Sequence, residues 1–135
     1  MSDNLSITLR VRIGAGDAHY GGGLVPGAHI LELFGDAATE LTIRTDGDEG
    51  LLTGYSSVEF TAPVYAGDFL EVTGSIERRG RLRRTIAFEA RKVIASRYEE
   101  SVSSAEVLDS PQVVCRATGA SVVPVAKAKA ARRSG

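Results

Sequence analysis

The chain has 135 residues and a single cysteine, Cys115, so no internal disulfide can form. A reducing, cytoplasmic setting is the simplest fit. Cys115 lies inside the apolar run Val113–Val123, which marks it as a buried core thiol rather than a nucleophile. Histidine is scarce as well: His19 and His29 are ten apart with no Cys or His companion, so no metal site is expected. Neither sign of charge dominates. Sixteen basic and seventeen acidic residues give a net charge of -1, and the pI of about 6.1 argues against a general nucleic-acid binder. A local basic patch for a phosphorylated ligand is still open. No apolar run approaches the roughly 18 residues of a membrane span, and MSDNLSITLR has no signal-peptide apolar region. No internal repeat is visible.

What is present suits one globular domain, with 43% hydrophobic and 24% charged residues. That domain is expected over residues 1–125, with a basic, disordered tail over 126–135. Leu5, Ile7, Leu9, Val11 and Ile13 alternate with polar residues, the period of a half-buried strand. Asp17, His19 and Tyr20 follow, then the glycines Gly21, Gly22 and Gly23, then Pro26-Gly27. From there Ile30, Leu31, Leu33, Phe34, Ala37, Ala38 and Leu41 form a broad apolar helical face as far as about Arg44. Gly35 and the alanines keep the helix surface small, so that a sheet could wrap closely. Gly47 supplies the stop.

Beyond the helix the pattern is β. Leu51–Phe60, Phe69–Glu77 and Leu82–Ile94 read as strands, the last two joined in a hairpin at Arg79-Gly80. Ser96–Pro111 is polar without periodicity and reads as a long loop, and Gln112–Val125 as a final strand. One helix and hairpin-connected strands imply an α+β fold, an antiparallel sheet of about five strands with one long helix on one face. Apolar sheet edges point to homo-oligomerisation.

Several segments resemble a known family. VEFTAPVYAGDFLEV, residues Val58–Val72, looks like the hotdog fold of acyl-CoA thioesterases and hydratases, in which a curved antiparallel sheet wraps a central helix. DAHYGG, LFGDAATEL, DGDEGL, FEARKVI and VVCRATG are similar to the 3-aminobutyryl-CoA ammonia-lyases of lysine fermentation and their β-alanyl-CoA relatives. The resemblance implies a CoA thioester bound at a homodimer interface, with a hexamer of three such dimers as a further option. It implies no separate cofactor, since CoA is part of the substrate. The hydratase Asp–His dyad does not transfer, because Asp17 and His19 are two apart with no Asn-Pro.

Ammonia elimination needs a base for the proton α to the thioester, donors for the developing charge on oxygen, and an amine that leaves protonated. Backbone N–H groups over Gly21–Gly27 are natural donors, since a turn feeding a helix N-terminus exposes them. Such donors contribute roughly 3–4 kcal/mol each. The bland alternative is a tight turn. Glu32, Asp36 and Glu40, four apart, share one helix face, and like charges so spaced repel by a few tenths of a kcal/mol. Arg44 continues the row. It reads as a solvated outer face, or as the site once a partner subunit covers it. On the second reading Asp36 is the first choice of base, Glu40 the second, and Glu32 stays exposed. Asp17, His19 and Tyr20 could position substrate or relay a proton. Arg78, Arg79, Arg81, Arg83 and Arg84 concentrate positive charge at the hairpin, for the CoA phosphates or as a solubilising tip. The alternative functions are an acyl-CoA thioesterase and a non-catalytic acyl-CoA-binding protein.

Overall fold

Helix α1 runs Gly27–Asp46, and its ends are set by the residues that flank it. Pro26 is the N-cap, one place before the first turn, with extended backbone. Gly47 closes the helix in the left-handed region at φ 68° and donates its N–H to the Ile43 carbonyl. The computed structural model describes residues 5–125, so the expected tail, 126–135, lies outside the described residues.

Among the described residues five strands form one sheet: β1 (Ser6–Arg12), β2 (Leu51–Phe60), β3 (Phe69–Arg79), β4 (Arg83–Ser96) and β5 (Ala105–Val122). Their spatial order is β1-β3-β4-β5-β2, and every neighbouring pair is antiparallel. The β3–β4 hairpin turns at Gly80, whose N–H donates to the Arg83 carbonyl at 2.8 Å. The expected long loop over Ser96–Pro111 is shorter than the pattern suggests. β5 starts at Ala105, where Ser96 pairs with Ala105 and Ile94 with Val107. Residues 105–111 are almost all exposed, so no alternation of apolar and polar residues marks them. Backbone pairing with β4 carries this arm instead.

Alternation on the inner strands explains the core. Leu70, Val72, Gly74 and Ile76 on β3, and Ile86, Phe88 and Ala90 on β4, are buried. Facing them are Ile30, Leu33, Phe34, Ala37, Ala38 and Leu41 of α1. Phe34 stacks on Phe88 with centroids 5.0 Å apart, and Tyr55 meets Phe88 edge-on at 6.0 Å. The Tyr55 hydroxyl satisfies itself on the Leu31 carbonyl at 2.9 Å. Close approach of helix and sheet comes from Gly74 and Ala37. A Cβ at Gly74 would sit 3.2 Å from Leu41 Cδ1 and 3.5 Å from Ala37 Cβ. Gly35, expected to serve this purpose, faces open space, with nothing within 4 Å of where its Cβ would be.

Candidate active site

The polar segment and the glycine turn are stitched to the start of α1 by backbone bonds. The N–H groups of His19 and Tyr20 both donate to the Leu24 carbonyl, Val25 donates to Val64, and Ala66 to Gly23. Gly22 and Gly23 take φ values of 72° and 79°, which a side chain would resist. The chain can therefore double back against residues 64–66 and enter the helix at Pro26-Gly27. Pro26 offers no side-chain cap. The first-turn N–H groups, at Gly27 and Ala28, have no preceding helical carbonyl to bind and remain available to a ligand.

Gly27 opens onto an apolar cleft of about 490 Å³, lined among others by Tyr20, Ile30, Phe60, Pro63 and Val114. The Phe60 ring lies directly on Gly27, where a Cβ would be 2.5 Å from Phe60 Cζ. Gly27 is thus needed for its missing side chain, which leaves room for the ring beside exposed backbone donors. The cleft combines apolar walls with donors at one end, which suits an acyl group whose carbonyl oxygen points at the helix.

One wall is braced by the Pro63–Asp68 turn. Asp68 is 1% exposed and accepts from the Tyr65 N–H at 2.8 Å, the Ser96 N–H at 2.8 Å and the Ser96 hydroxyl at 3.2 Å. The buried Lys92 ammonium lies 3.0 Å from Asp68 and donates to the Pro63 carbonyl at 2.9 Å. That network gives the Pro-Val-x-x-Gly-Asp motif a physical reason. Lys92 stands in phase with Ala90 and Phe88, and that alternation is the sequence signal for its inward direction. Its burial excludes it as a ligand for the CoA phosphates.

The expected catalytic residues divide. Tyr20 lines the cleft and Gly27 forms its donor end. His19 is exposed and meets Tyr20 edge-on at 4.9 Å. Asp17 Oδ2 accepts from the Gly14 N–H at 2.9 Å and lies 3.5 Å from His29 Nε2. His29 also has Glu32 Oε1 3.6 Å from its Nδ1. It therefore ties the polar loop to the first helical turn, a role that the sequence pattern, which only argued against a metal site at His29, does not show. Asp36 and Glu40 do not reach the cleft within one chain. At 1.5 Å per residue they lie about 13 and 20 Å along the axis from Gly27. Glu40 is held by Arg44 Nε at 2.8 Å, while Asp36 has no ion pair among the described residues and sits beside the open side of Gly35. In the single chain the acidic row is an outer face.

The arginine cluster needs a firmer correction. Arg84 follows the core-facing phase of β4 and is 1% exposed. It grips Asp46, the last residue of α1, through Nε at 3.1 Å and Nη2 at 2.8 Å, and Arg79 reaches the same carboxylate at 2.9 Å. Arg79 and Arg84 therefore neutralise an acid at the helix C-terminus and are not free for phosphates. Arg78, Arg81 and Arg83 are exposed, but at the far end of a 20-residue helix, about 30 Å from its start. Cys115 is buried as expected. Burial, with a smaller contribution from the Glu59 charge, pushes its thiol up to about 11.

No family model matches the chain. It is 59% identical over 116 residues to 3-aminobutyryl-CoA ammonia lyase of Acetoanaerobium sticklandii, covering 86% of this chain and 92% of that protein. The solved β-alanyl-CoA:ammonia lyase of Clostridium propionicum superposes with a TM-score of 0.87 at 38% identity, over 92% of this chain and 88% of that one. The hexameric hotdog thioesterase of Campylobacter jejuni shares the fold at 18% identity, with a TM-score of 0.70 over 87% and 83%. The expected hotdog architecture is therefore present, and the 59% identity across nearly all of its relative shows that this chain belongs to the 3-aminobutyryl-CoA ammonia lyase family.

Proposed function

We propose that the protein eliminates ammonia, reversibly, from a β-aminoacyl-CoA such as 3-aminobutyryl-CoA, leaving the enoyl-CoA. Family membership at 59% identity is the observation that carries this reading. The geometry supports it. The acyl group enters the apolar cleft with its thioester oxygen on the Gly27 and Ala28 N–H groups. The substrate arrives as an ammonium. A carboxylate takes the α-proton, the charge moves onto the thioester oxygen, and the C–N bond breaks with its electron pair leaving on neutral ammonia. The proton held by the base then completes ammonium.

Asp36 is the base in this reading, supplied across the interface of a homodimer. Its support is that, among the described residues, it is the member of the row with no such partner in its own chain, Glu32 facing the His29 imidazole and Glu40 paired with Arg44. Three such dimers would make a hexamer. No separate cofactor is called for, and the setting is cytoplasmic amino-acid fermentation, lysine degradation included. Incubation with crotonyl-CoA and ammonium tests the reaction. Enoyl absorbance should fall with no thiol released. Free CoA from a saturated acyl-CoA would instead identify a thioesterase. Asp36→Asn should lower kcat by about 10²–10⁴-fold with the fold intact. Near-normal turnover would remove Asp36 from the mechanism.

A further inference from the structure

On the other side of the Leu24–Tyr65 bridge from the acyl cleft lies a second pocket, of about 430 Å³. The two share their dividing wall. Leu24, Pro63 and Val64 face the cleft, while Gly22, Gly23, Tyr65 and Ala66 face the pocket. Tyr98, from the turn between β4 and β5, supplies the far side.

Both tyrosine rings are partly exposed, yet both are held from behind. Tyr65 is 39% exposed, its N–H is fixed by Asp68, and the buried Lys92 ammonium lies 5.6 Å from its ring centroid. Tyr98 is 49% exposed, with its hydroxyl wedged onto Gly67, where a Cβ would be 2.2 Å away. Gly67 has φ 91°, so that position is reserved for glycine twice over. Rings held in place but left open to solvent form a prepared stacking surface. The charge at the mouth says which chemistry fits. Arg97 is spent on Glu106 through Nε at 3.0 Å and Nη2 at 2.6 Å, and Glu99 lines the rim. With no free positive charge among the described residues that line it, the pocket does not suit a phosphate. A neutral heteroaromatic ring does.

We propose that the Tyr65–Tyr98 pocket takes the adenine base of the CoA thioester, so that the nucleotide end binds beside the acyl cleft and not at the arginine hairpin. This rests on the acyl-CoA reading above, and it removes the need for a phosphate role at Arg78, Arg81 and Arg83.

Steady-state kinetics of Tyr65→Leu and Tyr98→Leu, on a CoA thioester and on the same acyl group carried by pantetheine, test it. KM for the CoA thioester should rise about tenfold or more, with kcat unchanged and pantetheine-thioester kinetics unchanged, as expected for lost uniform binding. Tyr98→Phe, which keeps the ring, should behave as the parent. Equal losses on both substrates would show a structural role and overturn the proposal. So would unchanged CoA kinetics, or a tenfold KM effect in Arg78→Ala/Arg81→Ala/Arg83→Ala in place of the tyrosine variants. If the parent turns over neither thioester, the lyase reading fails. Calorimetric binding of adenosine 3′,5′-bisphosphate still decides the pocket: binding lost in both Leu variants supports it, and binding equal to the parent's overturns it.

Discussion

At the scale of single residues the site depends on what Gly27 lacks. A methyl there would fall 2.5 Å from Phe60 Cζ, and the ring is more than half exposed, so it swings away and the fold survives. Gly27→Ala should leave the melting temperature within a few degrees of the parent. It should cut kcat/KM by about 10²-fold, because a displacement near 1 Å at a reacting group has that size of effect. Normal kinetics in this variant would mean that the helix N-terminus does not meet the substrate. Cys115 makes the opposite prediction. With its thiol near pH 11 and no exposure, it should not react with Ellman's reagent at pH 8 in the native protein and should react at once on unfolding. Fast native labelling would place it in an open site.

The C-terminal end of α1 is decided at the scale of elements. An acid as the last helical residue opposes the helix dipole, and Asp46 is tolerated because Arg84 and Arg79 converge on it. Burial alone would raise its pKa. Hydrogen bonds from Arg84 and Thr45, and the charges of Arg84 and Arg79, more than offset this and hold the carboxyl below its usual value. A depressed folded pKa contributes stability above the unfolded value, near 3.9, and that stability is lost as pH falls through the folded one. Chemical unfolding should therefore show an acid-side loss below about pH 4 that Asp46→Asn abolishes. At pH 7 that variant should be less stable by about 3–5 kcal/mol, because Arg84 is left buried and uncompensated. An unchanged denaturation midpoint would contradict the buried pair. The sequence carried part of this. The phase of β4 places Arg84 with Ile86 and Phe88, whereas the density of arginines around the turn points to a surface patch. The helix and its glycine stop were legible because periodicity and capping agree there. The first seven residues of β5 were not, because a strand exposed on both faces has no period to read. Nor was the His29 contact with Asp17, which joins a loop to a helix through space.

At the scale of the whole molecule, the sheet ends in two edges, and β2 is the one that matters for the site. It has no buried residue, and it exposes Leu51, Val58 and Phe60 along its length. An edge of that kind is a template for pairing with another chain. In a twofold dimer each copy would contribute the same surface, so an element at one place on α1 can serve the cleft of the other copy. That arrangement would reconcile a thioester cleft at Gly27 with a base at Asp36, about 13 Å along the same helix. Mixing two inactive variants tests it. Asp36→Asn lacks the base and keeps the donor end, and Gly27→Ala has the reverse defect. Unfolded together and refolded at equal amounts, half of the dimers carry one chain of each kind, and one of their two sites combines an intact donor end with an intact base. Activity should return to about a quarter of the parent's under random pairing. Leu51→Lys/Val58→Lys, placed in both variants, should abolish the recovery and give a monomer by light scattering. If the refolded mixture stays inactive while both parents refold, Asp36 and Gly27 do not meet across an interface, and the base must be sought beside Tyr20 and Asp17 in the same chain.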